Sequence, residues 1–397
     1  MQQGRADRHL IRSPAPDVKT NDRGYADMNM LQRHLITPLL IAATTCVTTV
    51  VRADNDDFAY KQTNLVSDGA VAAVTTDTQL KNPWGIAAIP GAPFWIADNG
   101  TGLSTLYDGH GTTVPLVVKI PAPKGAPAGT TAAPTGIVWN PNGQQFLVAP
   151  QLAALFIFAT EDGTISAWNP TVDLHNAVLE ADDSQGGNGA VYKGLALATN
   201  STGVFLYATN FRAGTVDVFD SKFQPAKLSG SFSDPRIPPG YAPFGIALVD
   251  GNLFVTYARQ NAAKHDDEKG PGRGFVNVFD TDGHFVTRFA SRGALNSPWG
   301  IARAPLNFGP FSSRILIGNF GDGRISGFDS YGGFRGSLRD PTGHAVSIEG
   351  LWSIAFGTAA AADPNTLYFT AGTNGEADGL FGSLQAVAHS DHDRDDH

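Results

Sequence analysis

The sequence has 397 residues, of which 42% are hydrophobic, 10% aromatic and 16% charged, with 45 glycines and 25 prolines. The formal net charge is -9 at pH 7 and no run of Lys and Arg stands out, which excludes a nucleic-acid-binding surface. The apolar content suffices for a large core and excludes a disordered main body, while the many Gly and Pro predict frequent turns.

The N-terminal part of the chain reads as a secretion signal. Residues 1–27 are polar and without periodicity, and a basic stretch then leads into an apolar run over residues 35–43. This order predicts a signal peptide over residues 28–53, cleaved after Ala53. Pro38 interrupts the apolar run, which disfavours the alternative of a permanent transmembrane anchor.

The position of this signal predicts that translation starts at Met28 or Met30. Residues 1–27 are then either an untranslated extension or an unusually long leader. The single cysteine, Cys46, lies within the signal, so the exported protein contains none. This excludes disulfides, thiolate-bound zinc and a thiol nucleophile. We therefore expect an exported protein, either extracellular or periplasmic.

Six repeats follow, and each begins with a short sequence motif that has a small residue at a fixed position. That residue is Gly85, Gly136, Gly194, Gly245, Gly300 and Ser353, a spacing of 51 to 58 residues. A second and a third β-rich run follow each phrase, and Asp-Gly turns such as Asp282-Gly283 lead into a fourth.

Four strands per repeat without a convincing amphipathic helix predict an all-β fold, a six-bladed β-propeller of four-stranded antiparallel blades. A β-sandwich array and a parallel β-helix are the alternatives, but they favour repeats of other lengths. The glycine suits an inner strand, where neighbouring backbones crowd around the central channel.

The propeller is predicted to be a single domain over residues 54–388. The run Tyr60–Ser67 precedes the first repeat, and we expect it to add an outer strand to the sixth blade and close the ring. An insertion at Phe146–Val148 leaves a blade count that differs by one as an alternative. Residues 389–397 are rich in His and Asp and are predicted to be a disordered tail.

Several phrases are shared with known proteins, namely Asn82–Ile86, Phe158–Asn169, Val191–Ala196, Lys264–Asp267 and Gly318–Ile325. Over roughly residues 60–388 the chain resembles a family of secreted propellers of unassigned activity, distantly similar to NHL-repeat and gluconolactonase-type six-bladed proteins. The resemblance implies the fold and export, and it implies no activity. Some bacterial members end in a Pro-Glu-Pro sorting signal, which this sequence lacks.

Polar residues come directly after the second strands, where the loops of a propeller converge. Asp98, Glu161, Asn210 and Asn319 are the candidate metal ligands, because carboxylate and amide oxygens suit a hard cation such as Ca²⁺. Six-bladed lactonases hold an axial Ca²⁺ in this manner, an analogy at the level of the fold. The alternative is that these are ordinary turn residues.

The fourth repeat carries a long polar insertion over residues 260–274. His265, Asp266 and Asp267 within it are the candidate catalytic residues, with the imidazole as general base or, with the two carboxylates, as metal ligand. The alternative is a solvated charged loop.

Four residues are candidates for ligand binding. Three are tryptophans at equivalent repeat positions, and the fourth is an arginine beside the insertion: Trp84, Trp299, Trp352 and Arg259. The alternative for the aromatic residues is packing between blades.

The sequence contains no nucleophile elbow, no phosphate-binding glycine loop and no His-Glu-x-x-His motif. This favours a monomeric binding platform for a small molecule or an extracellular protein, with no nucleic-acid partner and no permanent membrane span. The alternative is a Ca²⁺-dependent hydrolase or lactonase with its site in the central channel.

Overall fold

The protein folds as a six-bladed β-propeller, seen in a computed structural model that describes residues 58–185 and 189–388. This confirms the predicted fold class. No helix in these ranges is long and apolar enough to cross a membrane. The leader, the signal peptide and the tail predicted at residues 1–27, 28–53 and 389–397 lie outside the described residues, so export stays a prediction.

The blades follow one another along the chain, each starting with its innermost strand. The chain enters through β1 (Phe58–Ser67) and β2 (Thr75–Thr76). Blade one contains β3 (Pro83–Ala88), β4 (Phe94–Asp98), β5 (Leu103–Tyr107) and β6 (Val118–Lys119). Blade two contains β7 (Pro134–Trp139), β10 (Phe156–Thr160), β11 (Thr164–Trp168) and β12 (Val178–Asp182), with β8 (Leu147–Ala149) and β9 (Leu152–Ala153) as a separate hairpin. Blade three contains β13 (Tyr192–Thr199), β14 (Val204–Asn210) and β15 (Thr215–Phe219).

The second half of the ring repeats this plan. Blade four contains β16 (Tyr241–Val249), β17 (Asn252–Arg259), β18 (Phe275–Phe279) and β19 (Phe285–Ser291). Blade five contains β20 (Pro298–Arg303), β21 (Ile315–Asn319), β22 (Ile325–Phe328) and β23 (Phe334–Ser337). Blade six contains β24 (Leu351–Phe356), β25 (Thr366–Ala371) and β26 (Leu380–Ala388), and a short helix, α1 (Thr373–Glu376), precedes β26.

The ring closes where the first and last strands meet. β1 pairs antiparallel with β26, from Phe58 opposite Ala388 to Ser67 opposite Leu380. The N-terminal strand is therefore the outer strand of blade six, as predicted. Pairing covers two sheet edges that would otherwise remain open.

The insertion in blade two does not form a blade. Its hairpin, β8 and β9, forms a two-stranded sheet of its own. Phe146 before it is buried and packs edge-on against Phe223 of blade three, with ring centroids 5.2 Å apart. The described residues therefore form six blades, and the insertion fills the junction between two of them.

The recurring glycines lie where the inner strands of adjacent blades approach each other. A Cβ atom on Gly245 would lie 2.1 Å from the carbonyl oxygen of Trp299 in the next blade, and one on Gly85 would lie 2.5 Å from that of Thr135. No side chain fits at such distances, so the glycine position reflects crowding around the channel. This is the reason the sequence predicted.

The inner strands run in the same direction along the channel and give it two distinct ends. We call the end where they begin, beside residues such as Asn82 and Lys193, the upper end. The second strands finish there, because they run antiparallel to the inner ones. The lower end is where β3 and its counterparts finish.

Candidate functional site

Aromatic side chains close the channel just below its upper end. Trp84 stacks on Trp352, with ring centroids 3.4 Å apart. Phe320 also stacks on Trp352, with ring centroids 3.9 Å apart. Trp299 meets both tryptophans edge-on. The cluster, here named the aromatic plug, consists of Trp84, Phe211, Phe244, Trp299, Phe320 and Trp352, all buried.

The three tryptophans predicted to bind a ligand thus lie together, in contact with one another. Two of their indole nitrogens are satisfied within the protein: Trp299 Nε1 donates to the Lys193 carbonyl oxygen at 3.0 Å, and Trp352 Nε1 donates to Asn82 Oδ1 at 3.0 Å. These contacts are those of packing, and ligand binding through the rings stays a prediction.

Above the plug, a lysine occupies the repeat position that holds an aromatic residue in four other blades. Lys193 is the second residue of β13, and its side chain is only 2% exposed. Its ammonium group lies 5.1 Å from the ring centroid of Trp84 and pairs with Glu161. Asp266 Oδ1 is 3.4 Å from the same nitrogen. A buried charge of this kind is stable only when partners compensate it.

Glu161, His265 and Asp266 form a cluster around this ammonium group. Each offers one ligand atom, and the three atoms lie within 4.8 Å of one another. His265 Nδ1 is 2.7 Å from Asp266 Oδ1, and the side chain of His265 is 38% exposed. The hydrogen bond from His265, followed by the nearby charge of Lys193, lowers the pKa of Asp266 to about 2. Asp266 is therefore ionised at neutral pH.

Amide groups connect this cluster to blades one and six. Asn99 Nδ2 donates to Glu161 Oε2 at 2.8 Å, and Asn82 Nδ2 donates to Glu376 Oε2 at 3.1 Å and to Asn99 Oδ1 at 3.2 Å. Burial raises the pKa of Glu376. We name this connected set the upper mouth; it comprises Asn82, Asn99, Glu161, Lys193, His265, Asp266 and Glu376.

Two further predicted residues lie beside the upper mouth. Burial raises the pKa of Asp267, and its Oδ2 atom has no hydrogen-bond partner in the described part of the chain. Arg259 is 48% exposed and pairs with Glu268 at 2.9 Å. Arg259 is therefore engaged within the polar insertion of blade four.

The remaining metal candidates bond to neighbouring groups of the protein. Asp98 Oδ2 accepts hydrogen bonds from the backbone and the hydroxyl of Thr105, at 3.1 and 2.8 Å. Asn210 donates to Asp217 Oδ2 at 2.8 Å, and Asn319 donates to the Ala294 carbonyl oxygen at 2.8 Å. Of the four predicted calcium ligands, the structure brings only Glu161 into the cluster with His265 and Asp266.

Sequence reasoning missed Lys193 as a site residue and did not select Glu376. The signal for Lys193 was available in the repeat itself. The residue before the small one is Trp84, Thr135, Lys193, Phe244, Trp299 and Trp352 in the six blades. A charged residue at a repeat position that is aromatic in most blades indicates that this position of blade three serves a function other than packing.

The chain is similar to proteins of a mimivirus. It is 36% identical over 332 residues to protein R648 of Acanthamoeba polyphaga mimivirus, covering 82% of this chain and 80% of that protein. Protein L690 of the same virus is 34% identical over 335 residues, covering 82% and 85%. The chain belongs to this family. Both relatives are described as uncharacterized, so the family relationship assigns no activity. No family model matches the sequence.

Solved structures are similar at a much lower level. A streptogramin B lyase matches with a TM-score of 0.45 and 13% identity, covering 84% of this chain and 99% of that one. A gluconolactonase of Xanthomonas campestris matches with a TM-score of 0.46 and 15% identity, covering 78% and 87%. At these values neither similarity bears on the activity of the family.

Proposed function

We propose that the protein is a small-molecule-binding propeller whose ligand occupies the upper mouth. The observation that carries this proposal is the buried ammonium group of Lys193, compensated by carboxylates from blade two and from the insertion of blade four. The fold does not require a charge there, because four other blades place an aromatic residue at the same position. Burying an ion pair seldom stabilises a protein over apolar packing, which supports a functional reason for this one.

The composition of the upper mouth indicates the class of ligand. Two carboxylates, of Glu161 and Asp266, pair with one lysine. Two asparagine amides, of Asn82 and Asn99, connect them to the third carboxylate, of Glu376. This arrangement offers more acceptors than donors, so it suits a small polar molecule that carries hydroxyl or amino groups. The aromatic plug beneath limits the ligand to the upper end of the channel.

A metal-dependent hydrolase is the second candidate, and the Glu161, His265 and Asp266 cluster favours it. An imidazole held by a carboxylate through Nδ1 can act through Nε2 as a metal ligand or a general base. A histidine among the ligands suits Zn²⁺ or Mn²⁺ better than Ca²⁺, which prefers oxygen atoms only. Lys193 counts against this candidate, because its ammonium group already neutralises two of the three ligands.

Thermal unfolding of the purified protein separates the two candidates. We expect EDTA and added Ca²⁺, Zn²⁺ or Mn²⁺ to leave the midpoint unchanged. In a panel of sugars, polyols, lactones and amines, one class should raise it. A ligand present at 100 times its dissociation constant stabilises by about 2.7 kcal/mol, which is a clear shift. The Glu161→Gln variant should lose this response.

Control variants make the result decisive. His284 contacts Asp280 at 2.9 Å on the surface, in the same manner as His265 contacts Asp266, so His284→Asn is the matched control for His265→Asn. A midpoint that EDTA lowers and a metal restores, in the control but not in His265→Asn, would establish the metal-dependent candidate instead. A panel without any response in the wild type would contradict the binding proposal.

A further inference from the structure

Blade three is the one blade of the described residues that has no fourth strand. The other blades have four or more paired strands, whereas the sheet of blade three ends at β15. The chain after β15 begins to return as a fourth strand would. Phe219 pairs with Pro225, and the Ala226 N–H donates to the Val218 carbonyl oxygen at 2.8 Å. Beyond Ala226 the chain leaves the sheet, so the first half of β15 lies at an open edge.

Blade one shows what is missing from blade three. Its chain returns in the same way, with the Val114 N–H donating to the Leu106 carbonyl oxygen at 2.9 Å, but it then continues into β6. β6 pairs with residues 103–104, at the start of β5. The equivalent residues of β15, 215–216, have no partner strand in the part of the chain that the structure describes.

A groove runs along this open edge. Its volume is about 990 Å³, and residues 216–219 form one wall while residues 225–232 form the other. The Val218 carbonyl oxygen points to the groove side of β15, since it accepts from Ala226. Backbone groups two residues apart in a strand point to the same edge, so the N–H and C=O of Val216 face the same side. An added strand would form hydrogen bonds to these groups.

Two carboxylates lie at the same edge. Asp183 and Asp217 both line the groove, and the Tyr192 hydroxyl lies 2.8 Å from Asp183 Oδ2 and 3.4 Å from Asp217 Oδ2. Within the described chain, neither carboxylate has an ion-pair partner, and Asp217 accepts instead from the Asn210 amide at 2.8 Å. Lys227, the one cation in the lining, is exposed and pairs with neither. The open edge therefore carries negative charge that no cation compensates.

Blade four shows which side chain fits opposite this position. Asp217 lies two residues before Phe219, which ends its strand, and Asn277 lies two residues before Phe279 in the same way. On the fourth strand, Arg288 lies opposite Asn277, and its Nε donates to Asn277 Oδ1 at 2.5 Å. Opposite charges on neighbouring strands stabilise their pairing, so a cationic side chain suits the position opposite Asp217.

We propose that the open edge of blade three binds an extended peptide segment of a partner protein, which carries an arginine or a lysine opposite Asp217. The segment adds as the fourth strand, its backbone bonds to Val216, and its cation lies beside Asp217 and Asp183. Alternate side chains of the segment point to the other face, where Val216 and Leu228 are only partly buried, so apolar residues suit those positions. β15 is two strands removed from the channel, so this site is separate from the upper mouth.

A synthetic peptide of residues 284–292 tests the proposal. This segment contains β19, which is the fourth strand of blade four. The fluorescein-labelled peptide should bind the full-length protein saturably, measured by fluorescence anisotropy. The Arg288→Glu peptide should bind about tenfold more weakly, because a like charge then faces Asp217.

A modified peptide tests the backbone pairing. Ala290 pairs with Val276 in blade four, and Val276 is the equivalent of Val216 in blade three. Methylation of the Ala290 backbone nitrogen removes the N–H that would donate to the Val216 carbonyl oxygen, and it changes no side chain. We expect this peptide to bind about tenfold more weakly than the unmodified one.

Variants of the full-length protein locate the peptide. Asp217→Asn matches Asn277 of blade four, and we expect it to bind the peptide about threefold more weakly. Asp322 is also half-buried and accepts a turn N–H, from Arg324 at 3.2 Å, but it does not line the groove, so Asp322→Asn is the matched control. Asp217→Lys should reverse the preference and bind the Arg288→Glu peptide more tightly than the original.

The possible outcomes separate this proposal from its alternatives. No saturable binding, equal affinity of the original and the Arg288→Glu peptide for wild type, or wild-type affinity of Asp217→Lys for the original peptide would overturn it. Sedimentation equilibrium tests a different occupant: a dimer of the full-length protein that the peptide dissociates would assign the edge to a second copy instead. Glu161→Gln, in the upper mouth, should bind the peptide as wild type does, so this result is independent of the proposed function.

Discussion

The two ends of the central channel are built from the same six strands, yet they differ in almost every property. Below the glycine positions, all six blades supply an isoleucine or a leucine, and the channel is uniform. Above them, the blades supply three tryptophans, a phenylalanine, a threonine and Lys193, and loops of unequal length add further polar groups. The residues at the uniform lower end serve the packing of the six blades around the channel. The residues at the upper end vary from blade to blade, so packing alone does not explain them, and we propose that the binding function lies there.

The strongest way to break this comparison is to remove the charge that makes the upper end irregular. Lys193→Met leaves the Glu161 and Asp266 carboxylates beside apolar rings without their cation. Breaking a buried pair in this way should lower the free energy of unfolding by about 3 kcal/mol, measured by urea denaturation. The control is Lys81→Met, since Lys81 pairs with Asp68 and Asp378 but is 34% exposed, and we expect a loss below about 1 kcal/mol. Equal stability of Lys193→Met and wild type would show that the lysine contributes nothing that methionine cannot.

The recurring glycines of the inner strands lie at the boundary between the two ends, and replacing one of them tests whether crowding explains the repeat. Gly245→Ala forces a Cβ atom against the Trp299 carbonyl oxygen, so the inner strands of blades four and five must move apart. We expect a loss of about 2 kcal/mol in the free energy of unfolding. Gly143→Ala is the control, because no atom lies within 4 Å of the added carbon, and it should change stability by less than about 0.5 kcal/mol. If both variants were equally stable, crowding would not explain the repeat.

A smaller expected effect concerns the buried carboxyl group of Asp98, whose ionisation should lower the free energy of unfolding. Asp98 ends β4 beside Asn99 of the upper mouth, and complete burial raises its pKa well above the usual value. A carboxyl group whose pKa is raised by folding does not lower the free energy of unfolding below its unfolded pKa of about 3.9, because it is protonated in both states. The free energy of unfolding falls as the pH rises through the folded pKa. Asp98→Asn should therefore be more stable than wild type at pH 7, by about 1 kcal/mol, and equally stable at pH 3.

The matched control for this pH dependence has the opposite sign. The hydroxyl of Thr342 donates a hydrogen bond to Asp340 and lowers the pKa of that exposed carboxyl group. The ionised Asp340 carboxylate stabilises the folded protein above its unfolded pKa, and this stabilisation is lost as the pH falls. Asp340→Asn should therefore not be more stable than wild type at pH 7. Urea denaturation of both variants at pH 3 and pH 7 provides the comparison. A stability gain that is the same at both pH values in Asp98→Asn would contradict ionisation as its cause.

The sequence predicted the ring better than the site, and the reason is physical. A repeat of fixed length with a glycine at the crowded position follows from local rules, and the pairing of β1 with β26 follows from the need to cover two edges. Glu161, His265 and Asp266 were each singled out, but Glu161 lies about a hundred residues before the other two in sequence, and only the closed ring brings it to them.

The calcium candidates show the limit of composition as a guide. Asp98, Asn210 and Asn319 have the residue types and the positions of metal ligands, yet their side chains bond to neighbouring backbone groups, to the Thr105 hydroxyl and to the Asp217 carboxylate. Asp and Asn serve both purposes, so their presence after a strand does not distinguish the two. Lys193 was the more informative signal, because a lysine has no ordinary reason to replace an aromatic residue in a buried position.

The pairing of β1 with β26 also determines when the molecule can be complete. Phe58 and Ala388 are neighbours in the sheet but lie more than three hundred residues apart along the chain, so this contact is the most non-local one in the ring. Forming it has the highest entropic cost of any strand pairing in the fold, and it becomes possible only after the last blade has been synthesised. Until then, the nascent chain exposes the unpaired edge of its first strand, and association with other chains during that interval competes with closure.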